Sequence, residues 1–379
     1  MVYLDNAATT FPKPSCVIKN VVTAMEDYGA NPGRSGHKLS VKAAEKIYSV
    51  REQCSELFGG SPENFCFTAN ATMALNMAIK GILKDGGIGI CTCFDHNSVL
   101  RPLFAANKES NDKRNFIIDF NPETEDICQK IEEFLCQNSV KVLAFTHCSN
   151  VFGFTLPAKK LCEIAKKHGV FTVLDASQSS GHFNLNVKDI GADIVCTAGH
   201  KGLFGPMGTG IMYLSDGIKL STVIEGGTGT NSMDLNMPFD PPERFEAGTV
   251  NMPGIVGLGS GIEFIKKLGV DYISEYEKFL RKNFIHGVRN ISNVKLYYPD
   301  IISSGVISFN VKGYDSATVG AMLSDMGICV RSGFHCSYPS HLSVGTDSIG
   351  TVRVSFSVFN NQRQIDRALY AINKVACKR

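Results

Sequence analysis

Lys201 lies in Thr197-Ala198-Gly199-His200-Lys201, between an apolar segment, Asp193 to Cys196, and a run rich in glycine that includes Gly202, Gly205, Gly208 and Gly210. An amine just past a buried strand sits where α/β proteins gather reactive groups, at the carboxyl edge of a parallel sheet, and there it can bond a carbonyl carbon. Upstream, the apolar run Phe171-Thr172-Val173-Leu174 ends in Asp175, with Ser177 and Gln178 on the turn that follows. A third segment, Phe65-Cys66-Phe67, leads through Thr68-Ala69-Asn70-Ala71-Thr72 into a helical pattern carried by Leu75, Ala78, Ile79 and Ile82. Taken one at a time, these features also fit a solvated loop lysine, a turn aspartate and an Asn/Thr helix cap.

Together they describe a seat for pyridoxal phosphate. A carboxylate at a strand tip can keep a pyridinium nitrogen protonated, so that the ring remains an electron sink, and Gln178 could reach the ring hydroxyl. Backbone amides at a helix N-terminus, with the Thr72 hydroxyl beside them, suit a phosphate. His96, just past the apolar segment Ile88 to Phe94, could lie flat on the ring and hold a proton, or could be a polar residue at a helix start.

Two further residues extend the set toward a substrate. Arg353 interrupts the apolar and small-residue strand Val352-Arg353-Val354-Ser355-Phe356. A guanidinium in that setting needs a bidentate partner, which an α-carboxylate would provide, as would an internal ion pair. The chain has 13 cysteines, and most, such as Cys66, Cys148 and Cys196, sit in apolar strand patterns as small hydrophobes. Cys336 differs, because it lies in a loop of Gly, Ser, Tyr and Pro beside His335, flanked in sequence by Arg331 and Arg353. There a thiol can ionise, although an incidental thiol or a metal ligand would look similar. No Cys-x-x-Cys occurs, and Cys91 and Cys93 have no further ligands in usable spacing, so no structural zinc is expected.

The elements that must position these groups alternate. Helices are predicted from Pro14 to about Tyr28 and from Ser40 to about Phe58. Strands are predicted near Phe65, Ile88, Phe116, Val142, Phe171, Ile194 and Ile211, with helices such as Glu123 to Cys136 and Ala158 to His168 between them. That order predicts an α/β fold, a large domain with a mostly parallel sheet covered by helices on both faces. A long helical stretch, Ile255 to about Ile291, leads to strands near Val306, Cys329 and Val352, alternating with helices at Ser316 to Met326 and Asn360 to Ala376. This predicts a smaller α+β domain. The expected division is 15–255 for the cofactor-binding domain, with 1–14 and 256–379 forming the small domain that carries the cysteine loop.

Composition narrows the classes of function. The chain is 379 residues long, enough for a large domain and a smaller one, and its net charge of +2 gives no footprint for nucleic acid or an acidic membrane. No apolar run approaches a membrane span, and the first residues lack a basic and apolar leader. An odd number of irregularly spaced cysteines suits a reducing cytoplasm better than a disulfide framework.

Six collinear motifs carry a resemblance. They are Tyr3-Leu4-Asp5-Asn6-Ala7-Ala8-Thr9-Thr10, Ser149-Asn150, Leu174-Asp175-Ala176-Ser177-Gln178, Gly199-His200-Lys201 with Gly205-Pro206, Phe245-Glu246-Ala247-Gly248-Thr249, and Arg331-Ser332-Gly333-Phe334-His335-Cys336. The chain resembles class V aminotransferase-fold pyridoxal-phosphate enzymes (fold-type I), within them the cysteine desulfurase and selenocysteine lyase branch, from residue 3 to beyond Arg353. The resemblance implies that Lys201 bonds the cofactor, Asp175 partners the pyridinium, and Gln178 and Asn150 lie near the ring hydroxyl and substrate. It further implies that His96 stacks on the ring, that Ala71, Thr72 and His200 contact the phosphate, that Arg353 grips the substrate carboxylate and that Cys336 accepts sulfur. The loop from Glu225 to Ser232, which includes Thr228, would reach the phosphate of a second subunit, so a homodimer is implied.

The expected reaction removes sulfur or selenium from L-cysteine or L-selenocysteine, giving L-alanine and a persulfide on Cys336, from which an acceptor protein would take the sulfur. Transamination, an elimination-type C–S lyase and a non-catalytic sulfur-trafficking scaffold are the alternatives. Two departures from the family pattern stand out. Ala198 replaces the usual serine three residues before the lysine, so that a phosphate contact is missing or comes from Thr197. The stretch between Cys336 and Arg353 is short, which limits how far the cysteine can swing.

Overall fold

Five short segments, Phe65–Thr68, Gly89–Thr92, Val142–Thr146, Ile194–Ala198 and Gly210–Leu214, are buried along their whole length, and Phe171–Asp175 is buried beyond its first residue. Strands apolar on both faces belong in the middle of a covered sheet. The computed structural model, which describes residues 1–32, 36–109, 116–229, 233–301 and 304–377, places them there. The spatial order is Phe65–Thr68, Gly210–Leu214, Ile194–Ala198, Phe171–Asp175, Val142–Thr146, Gly89–Thr92 and Ile117–Ile118. Gly210–Leu214 runs antiparallel to both its neighbours, and the other pairings are parallel.

This order brings the chemistry together. Thr146 pairs with Asp175 and Asp175 with Cys196 in adjacent registers, so the segments leaving three neighbouring strands begin at one edge. Those segments carry Asn150, Asp175 to Gln178, and His200-Lys201.

A second sheet is antiparallel, in the order Arg331–Gly333, Thr351–Ser355, Val306–Val311 and Val294–Tyr297. Val352, Val354, Phe309 and Phe356 of this region pack with Leu280 and Phe284 of the helix Val270–Arg289 and with Ile365 and Ile372 of the helix Gln362–Ala376. The first residues pack on it: Val2–Tyr3 pairs in parallel with Ile328–Cys329 as a separate two-stranded sheet, and Asp5 bridges to Ser355.

The single long helix expected from Ile255 is two, Met252–Leu268 and Val270–Arg289, broken at Gly269, whose φ of +86° only glycine adopts readily. The expected division after residue 255 falls inside the first of them. Met252, Ile255, Leu258, Ile262 and Ile265 all pack into the core of the large sheet, and the packing changes over in the second helix, between Ile273 and Leu280. The strand Val294–Tyr297 is absent from the expectations, because Val-Lys-Leu-Tyr is too short to show a period.

Among the described residues, no helix is long and apolar enough to cross a membrane. No group of three or more His, Cys, Asp or Glu is arranged to hold a metal ion among them. All the cysteines are free thiols.

Candidate active site

The helix Ala71–Leu83 begins at the cavity because Asn70 caps it, its side chain accepting from the Met73 amide at 2.9 Å. Amides of a first helical turn have no acceptor within the helix, and Ala71 and Thr72 line a cavity of about 210 Å³. The same cavity is lined by His96, Asn150, Asp175, Gln178, His200, Lys201 and Arg353. Nine of the sequence-derived residues are therefore neighbours. Two are not: Thr228 lies in a separate groove with Arg51 and Glu246, and Cys336 stands exposed beside the cavity rather than in its wall. Residues 230–232 of the glycine-rich loop lie outside the described residues.

Electrostatics tune the lining groups. Burial lowers the Lys201 amine to about 8, with Arg353 and Arg331 pushing the same way and Asp175 opposing. Burial also lowers His96 to about 4, with Lys201 adding to the shift, so the ring is neutral at ordinary pH. His96 Nδ1 accepts from the Ser98 amide at 3.0 Å, which puts the neutral ring's proton on Nε2. Ser98 Oγ lies 2.8 Å from both His96 Nδ1 and Thr72 Oγ1, joining the ring to the helix start.

Arg353 is 1% exposed. Its Nη2 donates to Asp5 Oδ1 at 2.8 Å and its Nη1 to the Asn150 carbonyl at 2.8 Å, while Nε has no partner. The internal ion pair and the cavity position thus coexist. The first ten residues also brace the lysine: Thr10 Oγ1 donates to the Lys201 carbonyl at 2.9 Å, Thr9 Oγ1 to the His200 carbonyl at 3.1 Å, and Gln178 Nε2 to the Ala7 carbonyl at 2.9 Å.

Cys336 is placed by backbone. The Asn97 amide donates to the Cys336 carbonyl at 2.7 Å, and Asn150 Nδ2 donates to the His335 carbonyl at 2.7 Å. Arg331 Nη2 reaches Cys336 Sγ at 3.4 Å, and Arg331 itself lines the cavity, opposite Arg353 in the strand register. One guanidinium thus touches both the thiol and the cavity.

The residues fit pyridoxal phosphate. An amine, a carboxylate, an imidazole and a helix start with hydroxyls converge on one cavity, and three of its lining residues hold buried polar atoms without a partner, Ser177 Oγ, His200 Nδ1 and Arg353 Nε. Ala198 presents no hydroxyl there, and Thr197 does not supply one, because its Oγ1 donates to the Ala176 carbonyl at 3.3 Å and the residue is not part of the lining. Sequence reasoning quoted Asp5, Ser177 and Arg331 in its motifs without giving them a part in the site, and it missed Ser98.

A mostly parallel sheet covered by helices, with an amine, a carboxylate and a helix start gathered at one cavity, defines an α/β enzyme of fold-type I. The chain belongs to the class-V aminotransferase family, whose model it matches over residues 2–368. It is 32% identical to a protein of Pyrococcus abyssi named "Probable cysteine desulfurase", over 99% of this chain and 94% of that one. A Methanothermobacter thermautotrophicus protein of the same name is 30% identical, with the same coverage. Among solved structures, the apo form of a cysteine desulfurase from Thermococcus onnurineus NA1 superposes with a TM-score of 0.90 at 31% identity, covering 99% of this chain and 94% of the other.

Proposed function

We propose that the protein is a pyridoxal-phosphate-dependent cysteine desulfurase, acting on L-cysteine to give L-alanine and a persulfide on Cys336, or on L-selenocysteine to give L-alanine with selenium leaving without a persulfide. The observation that carries this reading is the exposed Cys336 thiol, held by an arginine that also lines the lysine cavity. A transaminase or an eliminating lyase has no use for a thiol in that position.

Pyridoxal phosphate, when bound, would supply an electron sink beside the substrate's α-carbon. Lys201 would hold it, Asp175 would face the ring nitrogen, His96 the ring face, and Gln178 and Asn150 the ring hydroxyl and substrate. Ala71, Thr72 and His200 would take the phosphate. In a homodimer, Thr228 would reach the cavity of the second copy.

Lys201 Nζ, kept weakly basic by its enclosure, moves the substrate's α-proton. Arg353 orients the α-carboxylate through the Nε–H that has no protein partner, while Asp5 and Asn150 fix the plane of the guanidinium. The Cys336 thiolate then attacks the substrate sulfur. A sulfur–sulfur bond forms, the carbon–sulfur bond breaks with its electron pair passing to the carbon side, and protonation there yields alanine. The large unit brings the lysine side, and the small unit, built from the first residues and the C-terminal third, brings Arg353 and Cys336. The absence of disulfides among the 13 cysteines supports a cytoplasmic setting.

The test is product analysis with each amino acid under reducing conditions. Alanine is expected from both, and Cys336→Ala should lower sulfide release from L-cysteine by about 100-fold or more with an unchanged cofactor spectrum. Pyruvate without alanine, or wild-type sulfide release by the variant, would sink the proposal.

A further inference from the structure

Neither His182 nor Glu277 lines the cavity, yet the two form an ion pair behind it. His182 Nδ1 and Glu277 Oε2 are 2.7 Å apart, and Glu277, on the helix Val270–Arg289, is 1% exposed. The other oxygen of Glu277 has no partner among the described residues, so this carboxylate bonds His182 alone. Burial lowers the His182 imidazole, and so does the charge of Lys201, but Glu277 outweighs both and holds it above its ordinary value. A buried ion pair rarely adds net stability over apolar residues of the same size; what it can fix is register.

Each partner rests against a different unit. On the His182 side stands Gly202, the residue after Lys201. A Cβ at Gly202 would lie 2.5 Å from His182 Nε2, so the imidazole is a wall against which the lysine turn is seated. Asn184, two residues on, holds to the same helix as Glu277, its Nδ2 donating to Asp271 Oδ1 at 2.5 Å. On the Glu277 side stands Gly305, where a Cβ would lie 3.2 Å from Glu277 Cβ. The Gly305 carbonyl accepts from the Phe356 amide at 3.0 Å, and the strand that follows, Val306–Val311, pairs its Ser308 with Arg353. Glu277 also falls between Ile273 and Leu280, where the helix passes from the core of the large sheet to that of the small one. The two side chains thus bridge the turn that carries Lys201 and the strand pair that carries Arg353.

We propose that His182 and Glu277 are positioning residues that set the separation between the Lys201 amine and the Arg353 guanidinium, and so the span into which an α-amino acid must fit. On the roles proposed above for Lys201 and Arg353, on which this assignment rests, the two ends of the substrate are held by different units. Their separation then matters only to a ligand that uses both. An amine without a carboxylate uses the lysine end alone.

The experiment titrates the cofactor-loaded enzyme with L-alanine and with ethylamine, which is alanine without its carboxylate, and follows binding by the absorbance of the cofactor. Two variants are compared with the native chain: Glu277→Ala, and the double variant His182→Leu, Glu277→Leu, whose apolar side chains leave no lone buried charge. In both, the affinity for L-alanine should fall about tenfold, while that for ethylamine changes by less than about twofold. The double variant carries the test alone if Glu277→Ala does not fold. An unchanged affinity for L-alanine overturns the positioning pair. Equal losses for the two amines overturn it as well, because the lysine turn would then merely have loosened. Native enzyme that takes up no pyridoxal phosphate, or that binds L-alanine no more tightly than ethylamine, instead overturns the roles of Lys201 and Arg353 themselves, and the part of the pair with them.

Discussion

Lys201 and Cys336 are made reactive by opposite surroundings. Lys201 is enclosed by rigid central strands, and that enclosure brings its amine down to about 8. Around it, polar atoms such as Ser177 Oγ and His200 Nδ1 wait for partners. Cys336 is exposed on a loop whose carbonyls at His335 and Cys336 are held by Asn150 and Asn97, and both it and His335 adopt left-handed conformations, with φ of 60° and 49°. For residues with a Cβ such a conformation costs roughly 1 kcal/mol each. One group is tuned by what has been taken away from it, namely water, and the other by being aimed. An enzyme that must hide one step from solvent and deliver its product to the outside gains from keeping the two apart.

The largest test of this contrast is Lys201→Ala. It should lower alanine formation by more than about 10³-fold while Cys336 still alkylates within about a few-fold of its native rate, because the group that touches the thiol is Arg331 rather than the lysine. Joint loss of both, read by activity and by iodoacetamide labelling, would show that the two regions are not separate.

A smaller effect is expected at the hinge between them. Asp5→Asn removes the charge that pairs with Arg353, whose side chain is 1% exposed against 21% for Asp5. Breaking a wholly buried pair costs about 3–5 kcal/mol, and with Asp5 partly solvated the expected loss is about 2 kcal/mol in urea unfolding. The KM for L-cysteine should rise about tenfold with little change in kcat. A fall in kcat alone would give Asp5 a different part.

The smallest effect is a shift along the pH axis. Uptake of pyridoxal phosphate by cofactor-free protein needs the neutral amine, so its rate should rise with pH around a midpoint near 8 rather than 10.5. Because Asp175 holds the amine up, Asp175→Asn should move that midpoint lower. The sign for stability follows: between about 8 and 10.5 the unfolded chain binds the proton and the folded one does not, so stability rises with pH across that window. A midpoint at 10.5 in absorbance-followed uptake would mean that the amine is solvated.

Most of the lysine side was readable from the chain, since Asp175, His96 and Lys201 each follow an apolar run, and strand ends in a parallel sheet share an edge. The partner of Arg353 was not, because Asp5 is 348 residues away and nothing local distinguishes it from a turn aspartate. Thr197 shows a second limit. Its hydroxyl looked available to replace the missing serine, but strand alternation points it at the Ala176 carbonyl, and only the register decides that. The glycine run after Lys201 was visible in the sequence. The reason for Gly202, where a Cβ would meet the Ser180 carbonyl at 2.3 Å, belongs to tertiary packing.

The reach of Asp5 to Arg353 also sets a calendar for biosynthesis. A ribosome making this chain lays down one half of the clamp first and the other 348 residues later. The sheet that carries the lysine can assemble meanwhile, but the arginine that lines its cavity has not yet been made. Interrupted synthesis would therefore leave a fragment with the lysine and its strands and with Asp5 lacking its guanidinium partner.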